Sequence, residues 1–158
     1  MAPSYVPLLA FAIGVAAGLR SLTAPAVVAW AARRGWLNLH NSSLSFMGST
    51  AAVAIFTILA LVELVADQLP STPARTKAPG LIARIVLGGL SGAAVALAGG
   101  QSAAVGCVLG AVGGVVGAFA GYQVRTGLVR ALKVPDLVIA VLEDLVAVAG
   151  ALFIVTRL

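Results

Sequence analysis

Four acids and three arginines stand inside long apolar runs or at their edges: Glu63, Asp67, Glu143 and Asp144 against Arg20, Arg84 and Arg125. A charge at the centre of a bilayer costs about 2.5–3.5 kcal/mol on insertion scales, so such groups pair, face water or lose their charge. Glu143 and Asp144 are neighbours near the middle of one run, and Arg20 is near the middle of another. The simplest arrangement brings Arg20 to one of these two acids. Adjacent helical positions point about 100° apart, so a single partner helix cannot face both. The second acid then faces a cavity, another protomer or Arg125. Glu63 and Asp67, four apart, share a helix face within reach of Arg84 or Arg75. Two acids so close disfavour joint ionisation unless a cation or an arginine intervenes. Four acids against three arginines leave one negative charge, which a proton or a small cation would balance. These residues suit an ion or proton path, or an ion-pair network that holds short helices together.

Arg20 belongs to Gly18-Leu19-Arg20-Ser21-Leu22-Thr23-Ala24-Pro25. Pro25 removes a backbone hydrogen bond and crowds the preceding turn. The segment therefore reads as a break, with Ser21 or Thr23 capping a second half-helix; the alternative is a short first span, with Ala24 to Ala32 lying in the interface beside Trp30 and Trp36. The start of such a half-helix offers amide N–H groups beside the Arg20 charge, which suits a carboxylate or phosphate. Arg20, Ser21 and Thr23 are thus candidates for an anionic substrate, coupled to protons through Glu143. No nucleophile or metal motif is present. Cys107 is the only cysteine and His40 the only histidine, so neither a disulfide nor a zinc or haem cluster is expected. The chain is read as no enzyme, without cofactor; a lipid-modifying enzyme ranks third among the readings.

The elements that must position these groups follow from composition. Of 158 residues, 61% are hydrophobic and 9% charged, against roughly 25% charged in soluble domains. Mean hydropathy is +1.09. Too few polar side chains exist to cover a soluble surface, and the same composition excludes disorder. The expectation is an all-α, polytopic membrane helix bundle forming one integral domain over 1–158. Its spans fall near 5–32, 44–66, 80–98, 102–124 and 134–156. Barrel strands are excluded by the length of each run and its lack of alternation. The first run would be about 42 Å long as one straight helix, against a hydrocarbon core of roughly 30 Å, so the break belongs inside it. It lacks an early basic group and reads as a retained span, not a signal peptide.

Glycines recur at four-residue spacing: Gly88 and Gly92; Gly106, Gly110 and Gly114; Gly113, Gly117 and Gly121. Bare backbone on a helix face lets another helix approach closely, whether within the chain, around a pore or between protomers. Two echoes suggest an inverted repeat: residues 17–21 with 120–126, and 60–66 with 140–147. Net charge is +5, ten Lys and Arg against five acids. The bases flank apolar runs, which argues for headgroups and against nucleic acid. Five spans would put the N-terminus with Arg75, Lys77, Arg84, Arg125, Arg130 and Lys133, against Arg33, Arg34 and Arg157, on the cytoplasmic side by the positive-inside rule, a margin that almost vanishes when Arg84 and Arg125 lie inside the bilayer.

The segments Gly18 to Pro25, Glu63 to Pro70 with Pro73 and Arg75-Thr76, Arg84 with Gly88, and Leu142-Glu143-Asp144 resemble an uncharacterised family of small bacterial multi-pass membrane proteins, number 4126 in the domain-of-unknown-function series. That resemblance implies an integral membrane location and no established activity, and it assigns no site residues. The functional expectation is a small channel or a proton- or ion-coupled transporter of the bacterial inner (plasma) membrane. It would form a homo-oligomer, a dimer or larger, in contact with membrane lipid, and take a small ion or anionic substrate. The alternative is an accessory or scaffold protein whose buried charges are structural only.

Overall fold

The computed structural model describes residues 4–66 and 76–158. Among them every regular element is helical: α1 Val6–Leu19, α2 Thr23–Arg33, α3 Thr50–Ala66, α4 Ala78–Ala98, α5 Ala103–Leu132 and α6 Asp136–Val155, with a short 3-10 turn at Ser45–Gly48. Three helices, α4, α5 and α6, are long and apolar enough to cross a membrane; α1 and α3 are shorter apolar helices.

Local chemistry sets the ends. Pro79 lies in the first turn of α4, where a missing N–H costs nothing. Gly100, at φ +71°, makes the turn into α5. α5 runs two turns beyond Val124, where the apolar run read from the sequence stops. Arg125 to Leu132 are mostly good helix formers, and a charge ends an apolar run without ending a helix. The helix stops where Lys133 turns left-handed, at φ +52°, before Pro135. The run expected from Leu44 becomes helical only at Thr50, because the serines before it bond locally. Ser42 Oγ donates to Leu39 O at 2.9 Å, and Ser49 Oγ accepts the Ala52 N–H at 3.1 Å.

The break in the first run is present, at Arg20-Ser21-Leu22, but α2 does not continue α1. It doubles back. Glu63 of α3 reaches Ser21 and Leu22, whereas Thr57 accepts the Trp30 indole N–H at 3.0 Å, so α3 runs antiparallel to α2. Val28, Ala29 and Ala31 of α2 share one core with Ala94 and Val95 of α4 and with Ala151, Ile154 and Val155 of α6. These are the residues beside the first half of α1, not beyond its end. Pro25 is accommodated in the first turn of α2 instead of causing the break.

Two further expectations fail with that turn. The Tyr5 hydroxyl donates to Arg157 O at 3.4 Å, and Gly99 packs beside Val6 and Leu158. Both described ends of the chain therefore lie together, opposite Lys133, whereas five crossings would separate them. The N-terminal end then groups with Arg33, Arg34 and Arg157, not with Lys77, Arg130 and Lys133. The inverted repeat fails as well. Gly14 packs on Gly110, and Gly18 packs on Gly114 and Gly117, so α1 and α5 run parallel.

Glycine explains how α1, α4 and α5 come so close. A Cβ on Gly88 would stand 2.6 Å from Gly110 O, and one on Gly18 would stand 2.5 Å from Gly114 O. Gly106, Gly110 and Gly114 meet α4 at Gly92, Gly88 and Arg84; Gly113 and Gly117 meet α1 at Phe11, Gly14, Val15 and Gly18. The two glycine rows of α5 thus serve contacts inside the chain. Gly121, at the end of one row, is buried beside a gap between α5 and α6.

Candidate functional site: the hairpin tip and its charges

The tip between α1 and α2 leaves carbonyls at the end of one helix and amides at the start of the other without helical partners. Two side chains from distant elements supply them. The Glu63 carboxylate accepts the Ser21 N–H and the Leu22 N–H, both at 2.8 Å, and the Ser21 hydroxyl at 2.5 Å. The Arg84 guanidinium donates through Nε to Gly18 O at 3.0 Å and through NH1 to Gly80 O at 2.9 Å. Its NH2 lies 4.0 Å from Glu63 Oε1. Neither Ser21 nor Thr23 caps α2, as the sequence suggested. Leu22 stands at the N-cap position without a side-chain bond, and the cap comes from α3.

Arg20 is fully buried. Its Nε donates to Asp144 Oδ1 of α6, so of the two neighbouring acids Asp144 is its partner. Glu143 points a third of a turn away, toward α5, where its Oε2 lies 3.5 Å from Arg125 NH1. Arg125 also makes a two-pronged bond to Asp136, Nε to Oδ1 at 2.8 Å and NH2 to Oδ2 at 2.5 Å. Asp136, in the first turn of α6, is not among the candidates drawn from the sequence. Asp136 and Glu143 are seven apart, nearly two full turns, so they share a face; that spacing was the signal for a shared arginine.

The result is a file of charged groups in two ion-paired clusters, which adjoin only at the neighbouring acids Glu143 and Asp144 of α6. It starts at Asp136, whose side chain is 61% exposed, passes Arg125 to Glu143, 8% exposed, continues through Asp144 to Arg20, and ends at the tip, where Glu63 and Arg84 hold the next two residues. Asp144 sits near the middle of α6, and Gly18 is about 18 Å along α1 at 1.5 Å per residue. The two groups of candidates drawn from sequence therefore converge at one level, from α1, α3, α4 and α6. Asp67 and Arg75 lie outside the described residues. Among the described residues no group of three or more His, Cys, Asp or Glu could hold a metal ion.

Chemically, the tip amides are the anion site expected at a half-helix start, and the anion on them is the chain's own Glu63. The acids and arginines offer proton acceptors and fixed positive charge in an apolar surrounding, with one exposed end. The sequence family described as Domain of unknown function (DUF4126) matches residues 8–157. No curated protein matches the chain, and no solved structure does. The match covers nearly the whole chain, which therefore belongs to that family.

Proposed function

We propose that this DUF4126 member is a small integral membrane channel or proton- or ion-coupled transporter of the bacterial inner membrane. In this reading α3, α4, α5 and α6 cross the bilayer, α3 with 17 residues at the short end of the usual range. The α1–α2 hairpin enters from the end that carries Tyr5 and Arg157 and turns back at mid-depth. Non-helical backbone at that depth survives only when protein or a cavity satisfies it, and Glu63 and Arg84 do so.

One observation carries the transport reading: the charged groups that lead from exposed Asp136 through Arg125, Glu143 and Asp144 to buried Arg20. Protonating Glu143 or Asp144 removes the attraction that holds Arg125 or Arg20. A proton or small cation arriving from the Asp136 end would thereby loosen the tip. An anionic substrate is the weaker form of the proposal, because it would have to displace Glu63 from three donors. Four crossing helices and one hairpin leave little room for a pore within one copy, which favours a homo-oligomer.

The scaffold alternative draws on the same pairs, since they tie α3, α4 and α6 to one tip. Vesicle reconstitution separates the two. Wild-type protein should dissipate a pH gradient or move a cation, and Glu143→Gln should fold and assemble normally without flux. Wild type that matches empty vesicles across cations, anions and a pH gradient overturns transport. In that case Arg20→Ala should lower assembly or stability with no flux to lose, as the scaffold reading requires.

A further inference from the structure

The first 62 residues contain three arginines, Arg20, Arg33 and Arg34, and no Asp or Glu. Arg20 is paired with Asp144, and Arg34 lies over the Trp30 and Trp36 rings. Arg33 is left at the end of α2, about 15 Å from the tip at 1.5 Å per residue. There it borders a cavity of about 520 Å³ between the end of α2, the 34–48 segment and the start of α3. Leu37, Leu39 and Met47 are buried and pin that segment, which leaves His40 and Ser45 exposed between them. The wall carries Arg33, His40, Ser45 and Ser49, with Ala32 and Leu39 as its apolar part.

The side chains on this wall select the sign of an occupant. Among the described residues neither the Arg33 guanidinium nor the His40 imidazole has a bonding partner, and no acidic side chain lines the cavity. The guanidinium keeps its charge and offers a planar fork that fits phosphate oxygens. The imidazole has an N–H to donate in either tautomer. Ser49 Oγ accepts the Ala52 N–H, so its own proton remains to be donated elsewhere. The carbonyl end of α2 does not cancel this positive character, because the chain uses it: Ala31 O accepts the Trp36 and Leu37 N–H groups, and Ala32 O accepts the Gly35 N–H. Four donor side chains match the several oxygens of a phosphate better than the two of a carboxylate. The volume falls within the roughly 300–1,000 Å³ of ligand pockets, which leaves room for an organic group on the phosphate.

We infer that the cavity at the end of α2 binds a phosphate group, carried by an anionic lipid headgroup or by a soluble phosphate ester, with Arg33 pairing its charge and His40, Ser45 and Ser49 donating to its oxygens. The inference goes beyond transport and uses none of the charged groups that carry that reading. In the membrane reading the cavity opens at the end that bears Tyr5, Arg157 and the two tryptophans, at the level of the headgroups. The experiment is native mass spectrometry of the full chain released from an uncharged detergent. The protein is first equilibrated with phosphatidylglycerol, with glycerol 3-phosphate, or with diacylglycerol, which lacks the phosphate. Wild type should retain a phosphate compound and not diacylglycerol. Arg33→Gln, at an exposed position, should lower that retention about tenfold, the effect of losing one hydrogen bond to a charged group. Arg157→Gln removes an exposed charge from the same end but not from the cavity wall, and should leave retention unchanged.

Retention of phosphatidylglycerol alone assigns the site to a lipid headgroup; retention of glycerol 3-phosphate as well assigns it to soluble esters. Either result upholds the cavity, provided that Arg33→Gln reduces it. Absence of both adducts, diacylglycerol held as well as phosphatidylglycerol, or undiminished binding in Arg33→Gln each overturns the site. So does an equal loss in Arg33→Gln and Arg157→Gln, which would make the attraction a property of the net positive charge. A wild type that binds phosphate in this way and moves no ion in vesicles sinks transport and keeps the cavity, and one that moves ions without any phosphate adduct does the reverse.

Discussion

Glu63 is the residue on which the hairpin tip depends most. Its carboxylate accepts three hydrogen bonds from two consecutive residues of a distant segment and faces Arg84 as well. Glu63→Gln keeps the shape but turns one acceptor into a donor aimed at an N–H 2.8 Å away. A buried group left unsatisfied costs about 1–3 kcal/mol, so thermal unfolding in detergent should show a loss of that size. Unchanged stability would mean that the tip does not rely on this cap. The Arg20–Asp144 pair makes a different prediction. Removing one partner of a buried pair costs about 3–5 kcal/mol because the other charge is stranded, while replacing both with apolar groups can be neutral. Arg20→Leu and Asp144→Leu should each destabilise strongly, and the double variant should recover most of the loss. A double-mutant cycle with no coupling would separate the two side chains. The sequence exposed these partners because an arginine and two acids in apolar runs have few ways to be neutralised. It hid the Glu63 cap, because a carboxylate bonding to backbone amides leaves no trace in the types of the residues it bonds to.

The helices themselves were legible as apolar runs, and their ends were not, since a run of hydropathy stops at the first charge and a helix does not. α5 is the plain case: Arg125 and Arg130 sit within it, and Arg125 makes two of the ion pairs described above. Glycine spacing points to close packing along α5, yet glycines of one helix have opposite roles. A Cβ on Gly110 would overlap the Gly88 carbonyl oxygen, and backbone cannot move aside as a flexible side chain can. Gly110→Val should therefore disrupt the α4–α5 contact, read as loss of monodisperse protein. Gly127 lies in the same helix with nothing within 4 Å of the corresponding position. Gly127→Ala should stabilise the protein by about 0.5–1 kcal/mol through helix propensity alone. Thermal unfolding of the two variants side by side gives opposite signs if the packing is as described, and the same sign if α5 stands apart from α4.

What the sequence could not supply at the scale of the whole molecule is direction. Apolar runs are read alike whichever way the chain travels through them, and five runs of sufficient length imply five crossings. The reversal at Arg20-Ser21-Leu22 is decided by tertiary partners, namely Glu63 and Arg84 at the tip and the small buried faces of α4 and α6 that receive α2. In the membrane reading proposed above, it would change the count of crossings from odd to even, and with it the side on which the chain finishes. Trp30 and Trp36, with the Arg34 guanidinium 5.4 and 5.7 Å from their ring centres, would in that reading form an interfacial patch at the end shared by Tyr5 and Arg157. Single cysteines placed in a Cys107→Ala background test this directly. Ser4→Cys, Asn41→Cys and Leu158→Cys should react with an impermeant thiol reagent from the same face of oriented vesicles, and Lys77→Cys and Lys133→Cys from the opposite face. All five positions border exposed segments, so failure to label would reflect sidedness and not burial. A bundle of five crossings requires positions 4 and 158 to label from opposite faces, and that outcome would dissolve the hairpin. With it would go the tip at which the charged file ends, because Arg20 would then lie within a single crossing instead of at a turn held by α3 and α4.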